Sequence, residues 1–207
     1  GLTLAFRGPD DATRAVAVQP MGSADLIAVD WGTTQARAYR LDDAGSVLGV
    51  RAGPLGIGQL GDLAYPDALA RLLGDWVDVP VPRIACGMVG SRQGWREAPY
   101  VDCPASLSVL SCGLVETGPG GIAIVPGLAT RDSAGVPDVM RGEETQILGA
   151  VPADSPRTLV VLPGTHSKWV RVEAGRIVSV ATAMTGELFA LLRTQSILGR
   201  LMTPGDE

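Results

Sequence analysis

A strand–turn–strand–turn–strand unit occurs twice in this 207-residue chain, and each copy has a Gly-Thr turn after its first strand. In the first copy the apolar run Leu26–Val29 leads into the turn Asp30–Thr34. In the second copy Leu159–Leu162 leads into Pro163–His166. Short apolar runs that end in turn residues are typical of buried strands. Because the order of strands and turns is the same, we expect an internal repeat of one supersecondary unit.

Turn residues, alternation and helix signals predict the remaining elements. Pro66 stands at the favoured first position of a helix that continues through Trp76. Gly142–Ala150 is a predicted helix with two acidic residues at its start, where the helix dipole favours them. A last helix is predicted over Glu187–Leu198. Strands are predicted over Ala36–Leu41, Val47–Val50, Arg83–Cys86, Ile122–Val125, Trp169–Val172 and Ile177–Val180.

Each Gly-Thr turn offers backbone N–H groups and a hydroxyl to one concave surface, an arrangement that binds anions such as phosphate. The residues concerned are Gly32, Thr33 and Thr34 in the first turn and Gly164, Thr165 and His166 in the second. Two such turns across a cleft would hold adjoining phosphates of one nucleotide. Asp30, at the end of the first strand, would hold Mg²⁺ through water. The alternative is that both are ordinary hairpin turns and that Asp30 caps one of them.

Lysine and histidine are nearly absent, which limits the available chemistry. Lys168 is the only lysine and His166 the only histidine, so the P-loop pattern is absent and a histidine-rich zinc site is excluded. Cys86, Cys103 and Cys112 have no C-x-x-C spacing and fit reduced thiols in the cytoplasm. The net charge of −5 argues against a nucleic-acid or anionic-membrane surface. Neither a membrane-spanning apolar run nor a secretory signal is expected.

The segment Gly56–Gly61 matches the G-x-G-x-x-G pattern of dinucleotide-binding folds. It follows a strand and precedes a helix, as that pattern requires. However, the helix begins only at Pro66, so a pyrophosphate at the glycines would not meet the helix N-terminus. The preceding strand also belongs to a hairpin series rather than to a parallel unit. We therefore expect no dinucleotide site here.

Several motifs resemble one family. Asp30–Thr34 and Pro163–His166 resemble the first and second phosphate motifs of the superfamily of sugar kinases, Hsp70 chaperones and actin. More narrowly, the chain is similar to the 2-dehydro-3-deoxygalactonokinase family from about Leu26 to Thr203. The motifs that carry this similarity are, in order, Gly87–Ser91, Met140–Gln146, Pro163–Trp169 and Met184–Leu188.

The resemblance implies an α/β chain with lobes of the actin-like ATPase, or ribonuclease H-like, type and with mixed sheets. It implies ATP-dependent phosphorylation of 2-dehydro-3-deoxy-D-galactonate at its 6-hydroxyl in cytoplasmic D-galactonate breakdown, with ATP and Mg²⁺. We expect an N-terminal extension over residues 1–24, an N-terminal lobe over 25–150 and the start of a C-terminal lobe over 151–207. The family's adenosine-binding part would follow in a further stretch, which leaves the second lobe incomplete here.

Transfer to a hydroxyl needs a base, and Glu143 and Glu144 begin a helix just before the strand that leads to the second turn. In related phosphate-handling enzymes of the superfamily, a glutamate in a similar Gly-Glu-Glu segment lies at the cleft. Neighbouring helix positions point about 100° apart, so one of the two should face solvent. We favour Glu144 over Glu143 as the base. The alternative is that both only complement the helix dipole.

Binding the substrate carboxylate calls for an arginine in bidentate geometry. The candidates are Arg141 beside the glutamates, Arg92 in a glycine-flanked loop, and Arg37; the alternative for each is a solvated surface position. The loop that holds Arg92 also offers donors to the sugar hydroxyls, namely Ser91, Gln93 and Trp95.

The one lysine and the one histidine have two interpretations each. Lys168 either reaches the γ-phosphate or the substrate carboxylate, or faces solvent from its strand. His166 would hydrogen-bond a phosphate oxygen, but it lacks the acid partner and the nucleophile spacing of a hydrolase triad. The nearby segment Thr185–Glu187 either faces the cleft or simply caps the last helix.

Two other functions fit the same turns. A phosphohydrolase of the exopolyphosphatase kind also pairs a Gly-Glu-Glu segment with two phosphate turns, but it needs only water as acceptor and no carboxylate-binding arginine. A non-catalytic, actin-like nucleotide-binding module would turn ATP over slowly, without any effect of sugar acids. The expected partner is a small sugar acid, with neither nucleic acid nor membrane, and the sequence leaves a homo-oligomer open.

Overall fold

The computed structural model describes residues 2–4, 26–118 and 121–201 of the chain. The strands are β1 (Leu2–Leu4), β2 (Leu26–Trp31), β3 (Ala36–Leu41), β4 (Val47–Gly53), β5 (Arg83–Gly87), β6 (Tyr100–Asp102), β7 (Ala105–Ser106), β8 (Val115–Glu116), β9 (Ala123–Ile124), β10 (Gly127–Arg131), β11 (Pro137–Met140), β12 (Thr158–Leu162), β13 (Ser167–Glu173) and β14 (Arg176–Ala183). The α-helices are α1 (Tyr65–Leu73), α2 (Leu107–Cys112), α3 (Glu143–Ala150) and α4 (Gly186–Gln195), and 3₁₀ turns cover Gly74–Asp78, Met88–Gly90 and Leu198–Leu201.

The first sheet has six strands in the order β4-β3-β2-β5-β9-β8. Strands β2, β3 and β4 form an antiparallel meander, whereas β2, β5 and β9 run parallel. Alternate side chains of β2, those of Ile27, Val29 and Trp31, are buried in one cluster with the apolar face of α1. Because β2 and β5 are parallel, their carboxyl ends meet at one edge of the sheet. Asp30 is paired there with Cys86, and Trp31 with Gly87.

The second sheet has the order β1-β12-β13-β14-β7. Strands β12, β13 and β14 form an antiparallel meander like that of β2, β3 and β4, so the predicted repeat is confirmed. Val160, Val170 and Ile177 lie in a second buried cluster, which also holds Ile147 of α3. A smaller sheet, β11-β10-β6, contributes Met140 to the same cluster. The second turn connects β12 to β13, as the first connects β2 to β3.

The predicted α/β class with mixed sheets is confirmed. Each strand and helix that the sequence predicted is present, with shifts of a few residues at the ends. The sequence missed β1, β6, β7, β8, β10, β11 and α2, most of which have only two to four residues and therefore show no clear period. Among the described residues, no helix has both the length and the apolar character needed to cross a bilayer.

The predicted division of the chain stays a prediction. Apart from β1, the extension over residues 1–24 lies outside the described residues. The boundary at residue 150 does not coincide with the grouping of buried side chains, because Ala105, Leu110 and Leu128 pack in the second cluster with β12, β13 and β14.

Candidate functional site

A cleft of about 550 Å³ lies between the two Gly-Thr turns. The carboxyl ends of β2 and β5 form one wall, and the end of β12 with the start of β13 forms the other. The lining residues are Asp30, Gly32, Thr33, Gly87, Met88, Tyr100, Val139, Arg141, Gly142, Glu143, Gln146, Leu162, Pro163, Gly164, Thr165, His166 and Lys168. The two turns that the sequence singled out thus contribute to one common cavity.

The first turn is supported by the loop that carries the G-x-G-x-x-G pattern. Three successive N–H groups, those of Gly56–Gly58, donate to the three carbonyls of Gly32–Thr34 at 2.9 to 3.2 Å. A Cβ on Gly56 would overlap the backbone carbons of Thr33 and Thr34. Glycine is therefore required by the close approach of two backbones. The pattern serves the first turn and not a dinucleotide site.

The second turn is supported by the beginning of α4. The Gly186 N–H donates to the Gly164 carbonyl (3.2 Å), and the Glu187 N–H donates to the Thr165 carbonyl (3.0 Å). The Thr185 hydroxyl also donates to the Gly164 carbonyl (3.2 Å). A Cβ on Gly186 would lie 2.7 Å from the Gly164 oxygen. The turn thus satisfies N–H groups of the first helical turn, which have no partner within a helix.

Both supports use the carbonyls of the turns, and this decides where the N–H groups point. In a planar trans peptide the carbonyl and the following N–H point in opposite directions. The N–H groups of Thr33, Thr34, Thr165 and His166 therefore point away from the supports. All these residues except Thr34 line the cleft. Convergent N–H groups of this kind are what an anion needs for binding.

The two adjacent glutamates at the start of α3 take different positions. Glu143 lines the cleft, whereas Glu144 is fully buried. The Gly142 N–H donates to Glu144 Oε2 (2.7 Å), and Oε1 has no partner among the described residues. Burial raises the pKa of Glu144 to about 8, so this carboxyl is largely protonated at neutral pH. The sequence favoured Glu144 as base, but Glu143 is the one placed to contact a ligand.

Arg141 is the candidate arginine that lines the cleft. Its side chain is buried, Nη2 donates to the Ala98 carbonyl (2.7 Å), and the guanidinium lies 4.4 Å from the centre of the Tyr100 ring. Arg37 on β3 and the exposed Arg92 are not among the lining residues. Of the three candidate arginines, Arg141 is thus the one placed on the cleft wall.

The loop after β5 contributes Met88 to the cleft, but the rest of the loop packs against aromatic residues. Trp95 stacks on Tyr65 with ring centres 5.9 Å apart and meets Trp31 edge-on at 6.2 Å. The Tyr65 hydroxyl donates to the Gln93 carbonyl (3.0 Å). Contacts of this loop with sugar hydroxyls stay predictions for Ser91, Gln93 and Trp95.

The only lysine and the only histidine both line the cleft. Lys168 Nζ donates to the Val139 carbonyl and to the Thr182 hydroxyl, each at 2.8 Å, which leaves one of its three protons for a ligand. His166 Nε2 lies 2.5 Å from Glu187 Oε2. The sequence-based inference that His166 has no acid partner was wrong, because the partner comes from α4, 21 residues further along the chain.

Asp30 lines the cleft at the end of β2. Within residues 2–4, 26–118 and 121–201, no group of three histidine, cysteine, aspartate or glutamate side chains could hold a metal ion. Mg²⁺ does not need such a group, because one or two carboxylates usually hold it together with phosphate oxygens and water. A single carboxylate beside the two Gly-Thr turns is compatible with that mode.

A smaller cavity of about 260 Å³ lies beside Asp30 and includes Cys86. Burial raises the pKa of Cys86 to about 12, so the thiol is neutral and unreactive. Cys103 and Cys112 are also free thiols. The cysteines thus provide no nucleophile for the cleft.

Sequence reasoning missed several residues that shape the site. Gly142 has a φ of 107°, and a Cβ there would lie 3.0 Å from the Gly87 Cα, so α3 begins directly against β5. The glycine pattern around Gly56 did signal a close backbone approach, although it pointed to another fold. No sequence signal pairs Glu187 with His166, because the two meet only in three dimensions.

Comparisons with known proteins agree on one family. The sequence model of the 2-keto-3-deoxy-galactonokinase family matches residues 30–207. A Rhizobium meliloti protein with the name "Probable 2-dehydro-3-deoxygalactonokinase" is 41% identical over 184 residues, which cover 86% of this chain and 60% of that protein. The Escherichia coli 2-dehydro-3-deoxygalactonokinase is 40% identical over 182 residues, which cover 88% and 61%. A Sinorhizobium meliloti crystal structure described by the same activity matches with a TM-score of 0.76 at 42% identity, over 84% of this chain and 59% of that one.

Proposed function

The chain belongs to the 2-keto-3-deoxy-galactonokinase family, and from this we propose that it transfers the γ-phosphoryl group of ATP to the 6-hydroxyl of 2-dehydro-3-deoxy-D-galactonate. The observation that carries the proposal is the pair of Gly-Thr turns on one cleft, each held by its carbonyls so that N–H donors remain for phosphates. The chain spans about 60% of the length of the curated relatives it matches, so the proposal concerns the activity of the whole protein.

The turns are proposed to hold adjoining phosphates of ATP, with the remaining proton of Lys168 as a further donor. Asp30 is proposed to hold Mg²⁺ through water; the ion, when bound, neutralises charge on the transferring phosphoryl group. The free cysteines are compatible with the cytoplasm, where we place the protein.

We propose Glu143 as the base and Arg141 as the first candidate for the substrate carboxylate. Glu143 takes the proton of the 6-hydroxyl, whose oxygen forms the new bond to the γ-phosphorus. The bond from the γ-phosphorus to the bridging oxygen breaks, and ADP leaves with that electron pair. Both residues are supported by their place in the cleft wall, where Glu144 does not lie. Arg92 and Arg37 are second candidates.

A coupled ADP-release assay on the full-length protein, with a panel of 2-keto-3-deoxy sugar acids, tests the proposed function. We expect ADP release to depend on Mg²⁺ and on one of these acids. Phosphate release from polyphosphate without any acceptor would favour the phosphohydrolase instead. Slow ATP turnover that no sugar acid changes would favour the non-catalytic module.

The variants Glu143→Gln and Glu144→Gln form a matched pair that tests the base. Removing a general base costs about 10²- to 10⁴-fold in rate, so we expect kcat of Glu143→Gln at pH 7 to fall by at least about 100-fold. Glu144→Gln should stay within a few-fold of wild type at this pH, because its carboxyl is already largely protonated. The opposite result, with the large loss in Glu144→Gln, would restore Glu144 as the base.

A further inference from the structure

A carboxylate and an imidazole are in direct contact at the edge of the second turn. His166 Nε2 and Glu187 Oε2 are 2.5 Å apart, and the two side chains are 48% and 41% exposed. His166 lines the cleft, whereas Glu187 does not. Glu187 therefore reaches the cleft only through the histidine.

The backbone fixes this contact. The Glu187 N–H donates to the Thr165 carbonyl (3.0 Å), one residue before the histidine. The preceding Gly186 is held against the turn so closely that a Cβ there would lie 2.7 Å from the Gly164 oxygen. The backbone of Glu187 is thus held at the turn independently of its carboxylate. This reduces the conformational entropy that is lost when the side chain contacts His166.

We propose that Glu187 is a positioning residue that fixes the proton of His166 on Nε2 and so assigns Nδ1 to the phosphoryl group of ATP; this rests on the proposed function. An ionised carboxylate only accepts hydrogen bonds, so Nε2 must carry the proton that joins the pair. Nδ1 has no bond to any residue that the structure describes, which makes it the ring nitrogen available to a ligand. Nδ1 donates to a phosphoryl oxygen when it carries a proton as well.

The simpler interpretation is that Glu187 only complements the dipole of α4, as acids in a first helical turn do. The other charged side chains of the cleft are Lys168 on the same wall and Asp30, Arg141 and Glu143 across from it. Lys168, Arg141 and Glu143 make no hydrogen bond to His166, whereas Glu187 makes one. A test must therefore measure which nitrogen of the imidazole carries the proton, and not only the stability of α4.

Because His166 is the only histidine, ¹⁵N NMR of the full chain, labelled at histidine and free of any histidine tag, reports on one ring alone. We expect the neutral ring to carry its proton on Nε2. In Glu187→Gln we expect the two tautomers to redistribute. Glu173→Gln is the matched control, because Glu173 is an equally exposed acid (43%) in ion pairs on the same sheet. It should leave the spectrum unchanged.

A proton on Nδ1 in wild type, or an unchanged spectrum in Glu187→Gln, would overturn the proposal. This measurement needs no kinase activity. Its failure is therefore distinguishable from failure of the proposed function.

Kinetics then test the link to the phosphoryl group. We expect Glu187→Gln to raise KM for ATP about tenfold, the usual effect of losing a charge-assisted hydrogen bond, with little change in KM for the sugar acid. In a His166→Ala background the same substitution should have no further effect, because Glu187 acts through the histidine. Additive losses in the double variant, or equal changes in both KM values, would contradict the assignment.

Discussion

The two Gly-Thr turns present the same backbone to the cleft, yet different parts of the chain support them. The first turn is held by the loop Gly56–Gly58, which contributes three backbone N–H groups to it. The second turn is held by the start of α4, which adds side-chain contacts: His166 to Glu187, and the Ser167 hydroxyl to the Thr185 hydroxyl. The strands and the turns are therefore repeated in the chain, but the segments that support the two turns are not.

This difference predicts which changes each turn tolerates. The first support depends on glycine and on backbone groups that do not titrate. The second depends on a helix terminus and on half-exposed polar side chains. The start of α3 differs from both, because it holds a buried acid, Glu144. Three substitutions separate the start of α3, the first support and the second support.

The largest effect is expected from Glu144→Gln, measured as the free energy of unfolding against pH. The folded-state pKa of about 8 lies above the ordinary glutamate value of 4.5, so the folded protein keeps a proton that the unfolded chain releases. Wild-type stability from this group is complete below about pH 4.5 and is lost as pH rises to about 8. At about 1.36 kcal/mol per pH unit, this amounts to about 4 kcal/mol. Glu144→Gln lacks this loss and should be more stable than wild type at pH 8.

Urea unfolding at several pH values checks this prediction. The difference between variant and wild type should be small near pH 4.5 and should grow steadily towards pH 8. A difference that does not change with pH would contradict it. If Glu187→Gln, and not Glu144→Gln, removed the pH dependence of the free energy of unfolding, the titrating group would lie in the second support. The contrast between Glu144 and the second support would then be wrong.

The next effect is expected from Gly56→Ala in the first support. The new Cβ would overlap the backbone of Thr33 and Thr34, which cannot move aside without breaking the bonds to Gly56–Gly58. We expect a loss of about 3 kcal/mol in the free energy of unfolding, the upper end for inserted methyl groups, together with weaker ATP binding. Thermal unfolding and KM for ATP check this. Gly149→Ala in α3 is the control, because its Cβ would meet nothing within 4 Å; equal losses in both variants would contradict the close approach.

The sequence predicted features that depend on neighbouring residues. It missed features that depend on contacts between residues far apart in the chain. The apolar run Leu26–Val29 and its turn are local, and so are the elements of the repeat; these were found. The glycine pattern signals a close backbone approach at position 56, but the backbone that it approaches, the separate turn at Thr33 and Thr34, lies outside the pattern and was not found. For a related reason the sequence could not show which of Glu143 and Glu144 is buried. Adjacent helix positions show that one side chain is buried, but only the packing of α3 against β5 shows which one.

The smallest effect is expected from Gly186→Ala in the second support. The Cβ would lie 2.7 Å from the Gly164 oxygen, which favours a loss of about 2 kcal/mol. Alanine, however, is a better helix former than glycine by about 1 kcal/mol, and position 186 is the first residue of α4. We therefore expect a net loss of about 1 kcal/mol in urea unfolding, with a rise in KM for ATP because the second turn shifts. A loss as large as that of Gly56→Ala would mean that the helix offers no compensation, and the two supports would then be equivalent after all.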